Sequence, residues 1–156
     1  MIDGVKVVPL QRIPDERGTV MHMLKSTDPH FSRFGEVYFT TIYAGGVKGW
    51  HRHEEMGLNY ACVFGRIKLV LFDERAGSAT HGQLTELFLG PDNYSLVVIP
   101  PMVWNGFKGM GGPHGEASMS ILANCATHAH LTGQPRSHRL DPYKNHIPYD
   151  WARRDH

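Results

Sequence analysis

Five consecutive residues, Gly49-Trp50-His51-Arg52-His53, carry the strongest chemical signal in the chain. His51 and His53 are two apart, so on an extended strand both imidazoles point to one face. Such a pair is open to two chemistries: two ligands for a transition metal, or one ring that moves a proton. A neutral histidine abstracts a proton from carbon when an adjacent carbonyl delocalises the charge. A carboxylate that orients the ring and steadies its cationic form helps this step. Asp141, in the turn Leu140-Asp141-Pro142, is the candidate carboxylate, although spacing alone does not pair it with His51.

These side chains need a scaffold, and the chain offers strands. Period-two runs rich in β-branched and aromatic residues occur at Val5–Val8, Gly18–Leu24, Val37–Tyr43, Tyr60–Phe64, Arg66–Phe72, Leu84–Leu89, Ser95–Ile99, Asn105–Lys108 and Ser118–Asn124. Gly65 marks a tight turn or bulge between two of them. Gly45-Gly46, Ala76-Gly77-Ser78 and Gly90-Pro91-Asp92-Asn93 supply turns, and Gly109 to Gly115 reads as a mobile loop. No helical stripe appears before Asp141, and the tail from Leu140 to Trp151 is expected to pack irregularly over the strands. The expected fold is an all-β sandwich or barrel with a polar, histidine-lined interior.

Bulk properties narrow the function. At 156 residues the chain suits one domain, 1–156. Lys plus Arg number 16 and Asp plus Glu 15, so no net field draws nucleic acid or an anionic membrane. Cys62 and Cys125 sit in apolar contexts and read as buried free thiols. Most of the eleven histidines, among them His128, His130, His138, His146 and His156, are expected at the surface or in loops. There is no signal-like start and no apolar run of about 18 residues, so a cytoplasmic protein is expected.

The H-x-H pair, with Gly45 upstream, matches half of a metal-cupin motif. A working site needs about three protein ligands and an open position. Where that motif places its glutamate the chain has Gly57 and Leu58, and where it places its second-half histidine the chain has Asn105. Glu54 and Glu55 have poor parity or lie too close. No metal and no cofactor are expected.

Several motifs, in order, resemble the dTDP-4-dehydrorhamnose 3,5-epimerase family of metal-free cupins. Asp15-Glu16-Arg17-Gly18 is similar to its D-x-R-G. Lys48-Gly49-Trp50-His51-Arg52-His53 is similar to its R-G-L-H-[YF]-Q. Leu71-Phe72-Asp73-Glu74-Arg75 resembles V-D-L-R, and Ile99-Pro100-Pro101 with Asn105-Gly106-Phe107 resembles I-P-P-G-x-x-H-G-F. Asp141-Pro142 with Ile147-Pro148-Tyr149-Asp150-Trp151 resembles the closing D-P-x-x-x-I-x-W.

The resemblance implies a cupin-type double-stranded β-helix, a jelly-roll barrel with an irregular C-terminal tail, acting as a homodimer on a nucleotide-diphosphate keto sugar. It implies an isomerase that inverts C3, C5 or both of a 4-keto-6-deoxy sugar, with His51 as base and Asp141 as its partner. Lys48 would approach the diphosphate, keeping the family's charge but losing the arginine fork. Arg17 would bring a second cation, across the dimer interface, and His53 would bind substrate in place of glutamine. Asn105, which stands where the family has a histidine, would orient the substrate carbonyl or only cap a turn. The family's tyrosine acid is absent from Ile121 to Thr127, which leaves Tyr38, Tyr43, Tyr60 or water to replace it. A sugar-nucleotide 3,4-ketoisomerase and a non-catalytic sugar-nucleotide-binding cupin are the alternatives, with a metal-dependent oxygenase behind them.

Overall fold

The computed structural model describes residues 1–111, 119–131 and 136–155. Within them lie twelve strands: β1 Lys6–Pro9, β2 Arg12–Asp15, β3 Gly18–Met21, β4 Glu36–Tyr43, β5 Val47–His53, β6 Leu58–Phe64, β7 Arg66–Asp73, β8 Leu84–Leu89, β9 Ser95–Ile99, β10 Val103–Gly111, β11 Met119–Ala126 and β12 Ser137–Arg139. One five-stranded sheet has the order β1-β9-β6-β11-β4, the other β12-β5-β10-β7-β8, and β2-β3 forms a separate hairpin. All strand pairs are antiparallel. From β4 to β11 the chain passes back and forth between the two large sheets, which is the jelly-roll arrangement expected of a cupin.

Alternation explains how the sheets face each other. Along β4, Tyr38, Thr40 and Ile42 turn inward while Val37, Phe39 and Tyr43 turn out. Ile67, Leu69 and Leu71 of β7 meet Leu58, Val97, Ile99 and Leu122 of the opposite sheet in the central core. The other face of β7 is also covered. There Val70 and Phe72 pack with Trp50, Trp104, Ile147 and Trp151, so the tail shields that sheet from water and β7 reads as one apolar run. The tail is irregular, as expected, and no helical turn forms in it.

Several sequence boundaries move. Gly65 makes the expected tight turn, and it is the corner at which the chain leaves the first sheet (β6) for the second (β7). Its φ is +68°, and a Cβ there would lie 2.5 Å from Ser120 Oγ and 2.9 Å from Met119 O, so both conformation and space select glycine. The expected strand Gly18–Leu24 is the returning half of the β2–β3 hairpin and stops at Met21. Gly109, Met110 and Gly111 continue β10 rather than opening a loop, because Gly109 pairs with Ile67 and Gly111 with Arg66, the register shifting at Met110 between them; the rest of that expected loop, like Ser118 and His156, lies outside the described residues. β12 has no counterpart in the sequence reading, since its three residues are too short to show a period. Among the described residues no helix is long and apolar enough to cross a membrane.

Candidate functional site

Strand β5 carries the histidines, and an irregularity sets their direction. Asn105 of β10 pairs with His51 while Phe107 pairs with Lys48, so two steps along β10 face three along β5. The extra residue forms a bulge at Gly49-Trp50. It resets parity: Lys48, His51 and His53 line the same cavity although residues 48 and 51 are an odd number apart. Trp50 turns to the opposite face, where it is fully buried beside Trp151, ring centroids 5.1 Å apart. Close backbone approach makes the bulge possible. A Cβ on Gly49 would lie 2.8 Å from Gly106 Cα, and one on Gly106 would lie 3.0 Å from Trp151 Cζ2.

The cavity holds about 470 Å³, within the range of small-molecule sites. One wall is Lys48, His51 and His53 of β5 with Arg139 of β12. The facing wall is Tyr38 and Thr40 of β4 with Tyr60 of β6. Phe107, Glu36 and His130 complete the lining. The described ion pairs engage Arg17, Arg52, Arg66, Lys68, Arg75, Arg136 and Arg153, and leave Lys48 and Arg139 without one. Glu36 is instead paired with His130.

Burial pushes the His51 pKa down, and the cations Arg139 and Lys48 push it the same way. Burial, with His130, His51 and Arg139 behind it, takes His53 down to about 4. Both rings are therefore neutral near pH 7, and His51 is free to accept a proton. Opposite them, burial raises the phenol pKa values of Tyr38 and Tyr60, so both stay protonated. Asn124 Nδ2 donates to Tyr38 Oη at 2.9 Å, and the Asn59 main-chain N–H donates to Asn124 Oδ1 at 3.0 Å. Tyr60 donates to Asn105 Oδ1 at 3.2 Å, and Asn105 Nδ2 donates to the His51 carbonyl at 3.0 Å. No group of three or more His, Cys, Asp or Glu side chains is arranged to hold a metal among the described residues.

Of the residues expected from sequence, His51, His53, Lys48, Tyr38 and Tyr60 converge on the cavity. Three do not. The expected His51–Asp141 pair is not formed: Asp141 is exposed, and its Oδ1 accepts the main-chain N–H groups of Tyr143 at 2.8 Å and Lys144 at 2.9 Å. The reason is register. Leu140 exchanges main-chain hydrogen bonds with Trp50, which places Arg139, rather than Asp141, opposite His51. Arg17 stands at the β2–β3 turn, 89% exposed and ion-paired with Asp15 at 2.6 Å, outside the cavity lining. Asn105 is 1% exposed with both ends of its amide occupied, so it braces Tyr60 and the β5 backbone from behind.

The cavity also holds residues the sequence reading passed over. Glu36 and Thr40 were recoverable, since they alternate with Tyr38 on β4. Arg139 and His130 were not, because one sits on a three-residue strand and the other beyond β11 with no periodic context. His130, expected at the surface, is half-exposed and lines the site.

Comparison with known proteins gives a consistent picture. The profile of the dTDP-4-dehydrorhamnose 3,5-epimerase family matches residues 1–115. A dTDP sugar isomerase crystal structure from Desulfovibrio desulfuricans G20 is 40% identical, with a TM-score of 0.88 over 96% of this chain and 92% of that one. The probable low-salt glycan biosynthesis epimerase Agl13 of Haloferax volcanii is 32% identical over 96% of this chain and 89% of its own. The Bacillus subtilis spore coat polysaccharide biosynthesis protein SpsL is 29% identical over 97% of each.

Proposed function

Because this chain belongs to the dTDP-4-dehydrorhamnose 3,5-epimerase family and is with it an isomerase, we propose that it inverts C3, C5 or both of a 4-keto-6-deoxy sugar nucleotide. The observation that carries this reading is a half-buried His51, its pKa lowered by burial and by Arg139 and Lys48, in a cavity where those two cations have no ion pair among the described residues. The 4-keto group acidifies the neighbouring C–H bonds. His51 takes one of these protons, and the bond's electron pair moves into the ring to form an enolate. The Lys48 and Arg139 charges favour that anion and the substrate's diphosphate. With no carboxylate bonded to it among the described residues, the His51 cation formed in the step returns its proton readily to solvent.

The reading includes a homodimer. Val37, Phe39 and Tyr43 expose 52%, 65% and 74% of their surface on the outer face of edge strand β4, an apolar stripe that a second copy would cover.

Solvent exchange tests the function. A panel of 4-keto-6-deoxy nucleotide sugars incubated with the protein in heavy water should yield, for the right one, deuterium at C3 or C5 and an inverted centre. A product with its carbonyl moved to C3 would identify a 3,4-ketoisomerase instead. No exchange with any member of the panel would reject the reading.

A further inference from the structure

We propose that Tyr38 is the proton donor facing His51 across the cavity, an assignment that rests on the epimerase reading above. The wall opposite β5 offers two phenols, and the hydrogen-bond network separates them. A main-chain N–H can only donate, so the Asn59 N–H must meet the oxygen of the Asn124 amide, at 3.0 Å. That places Asn124 Nδ2 on Tyr38 Oη at 2.9 Å. An amide NH₂ only donates as well, so the Tyr38 oxygen is the acceptor in this bond, and among the described residues nothing accepts its own hydrogen. The same logic gives Tyr60 the opposite state. The His51 carbonyl can only accept, so Asn105 presents Nδ2 to it and turns Oδ1 to Tyr60. That oxygen carries no proton, and the Tyr60 hydrogen is held in the bond.

The other candidates on the lining are poorer donors. The Thr40 hydroxyl is aliphatic and far less acidic than a phenol. His130 is engaged with Glu36. Lys48 and Arg139 stand on the His51 wall. Burial and the nearby Glu36 charge keep Tyr38 protonated until it is needed.

The step balances. His51 takes the proton from the carbon beside the ketone, and the electron pair enters the enolate. Tyr38 O–H then delivers its proton to the same carbon from the opposite face, and the enolate pair forms the new C–H bond. The phenolate takes a proton from water and His51 releases one to water, leaving no net change. Asn124 acts as a positioning residue: its Nδ2–H bond steadies the phenolate as it forms.

In heavy water, Tyr38→Phe should still exchange the substrate α-hydrogen through His51, with the deuteron returned to the original face. Inverted product should fall by about 10²-fold or more. Inversion at the wild-type rate would overturn the assignment while leaving the epimerase reading intact. So would a variant with an unchanged melting curve that loses exchange and inversion together. Absence of exchange in the wild type would instead strike the reading beneath it. Should Tyr38→Phe fail to fold, incorporation of the more acidic 3-fluorotyrosine at position 38 decides the matter. The basic limb of kcat for inversion should move to lower pH, and an unmoved limb rejects Tyr38 as donor.

Discussion

Asp73 ends β7 and His51 lies near the end of β5, two strands of one sheet with β10 between them; both belong to equally recognisable motifs, Asp73 buried and His51 half-buried, yet they are treated oppositely. The Asp73 carboxylate accepts five hydrogen bonds: from Arg75 N at 3.0 Å, Nε at 2.9 Å and Nη2 at 2.9 Å, and from Ser78 Oγ and Thr80 Oγ1, each at 2.6 Å. The Arg75 contacts lead in holding its pKa far below the usual carboxylate range. His51 has no carboxylate bonded to it among the described residues, and burial with two nearby cations keeps it neutral. A polar group whose bonds are all filled by its own chain fixes a loop. One left unfilled beside open space remains available to a ligand. The difference separates structure from chemistry where the motifs alone do not.

Four experiments would break or sharpen this contrast. The largest effect is expected from His51→Asn: turnover falls by about 10²–10⁴-fold with the melting temperature nearly unchanged, because a proton acceptor is lost and no structural bond is. Steady-state kinetics beside a thermal melt would show it, and a stability loss without a rate loss would reverse the roles given to the two residues.

Asp73→Ala should do the opposite, costing about 3 kcal/mol in denaturant unfolding because Arg75, Ser78 and Thr80 lose their common acceptor. The wild type should also show an acid limb that the variant lacks. Its folded-state pKa is depressed, so the unfolded chain binds the proton first. The stabilisation is whole above the unfolded value of about 3.9 and declines as pH falls below it. Equal slopes below pH 4 in the two proteins would remove Asp73 from its place.

The pH dependence of kcat/KM comes next. Since the His51 pKa is lowered, its acid limb should lie below the ordinary histidine value of about 6.5. A limb above pH 7 would mean that a carboxylate holds the ring after all.

The smallest effect is expected from Asp141→Ala. Removing an exposed turn cap should cost about 1 kcal/mol of stability and change turnover by only a few-fold. A loss on the scale of His51→Asn would restore the His51–Asp141 pair and defeat the contrast.

The strands of the jelly roll were legible because β4 carries its burial in the side-chain period, while β7 and β9 stand out as short, nearly continuous apolar runs bounded by turn residues. The H-x-H pair was legible for the same reason, as 51 and 53 share a face by simple alternation. Lys48 reached the right wall only by resemblance, since strict alternation would have turned it away and the bulge at Gly49-Trp50 is what brings it back. Asp141 failed because a D-P dipeptide gives no sign of whether its carboxylate faces a pocket or its own turn. Arg139 and His130 were hidden by short or aperiodic context, and the choice between two tyrosines depends on amide orientations that no sequence pattern encodes.

The crowding of Gly49 against Gly106, with Trp151 behind, has a practical consequence for reading variants. At 2.8 Å from a Cα, an added methyl cannot be accommodated by rotating a side chain. It would have to lift β5 away from β10, tilting the imidazole while leaving every reactive group chemically intact. Gly49→Ala would then masquerade as a lesion of the reacting groups, when the fault lies in the masonry beneath them.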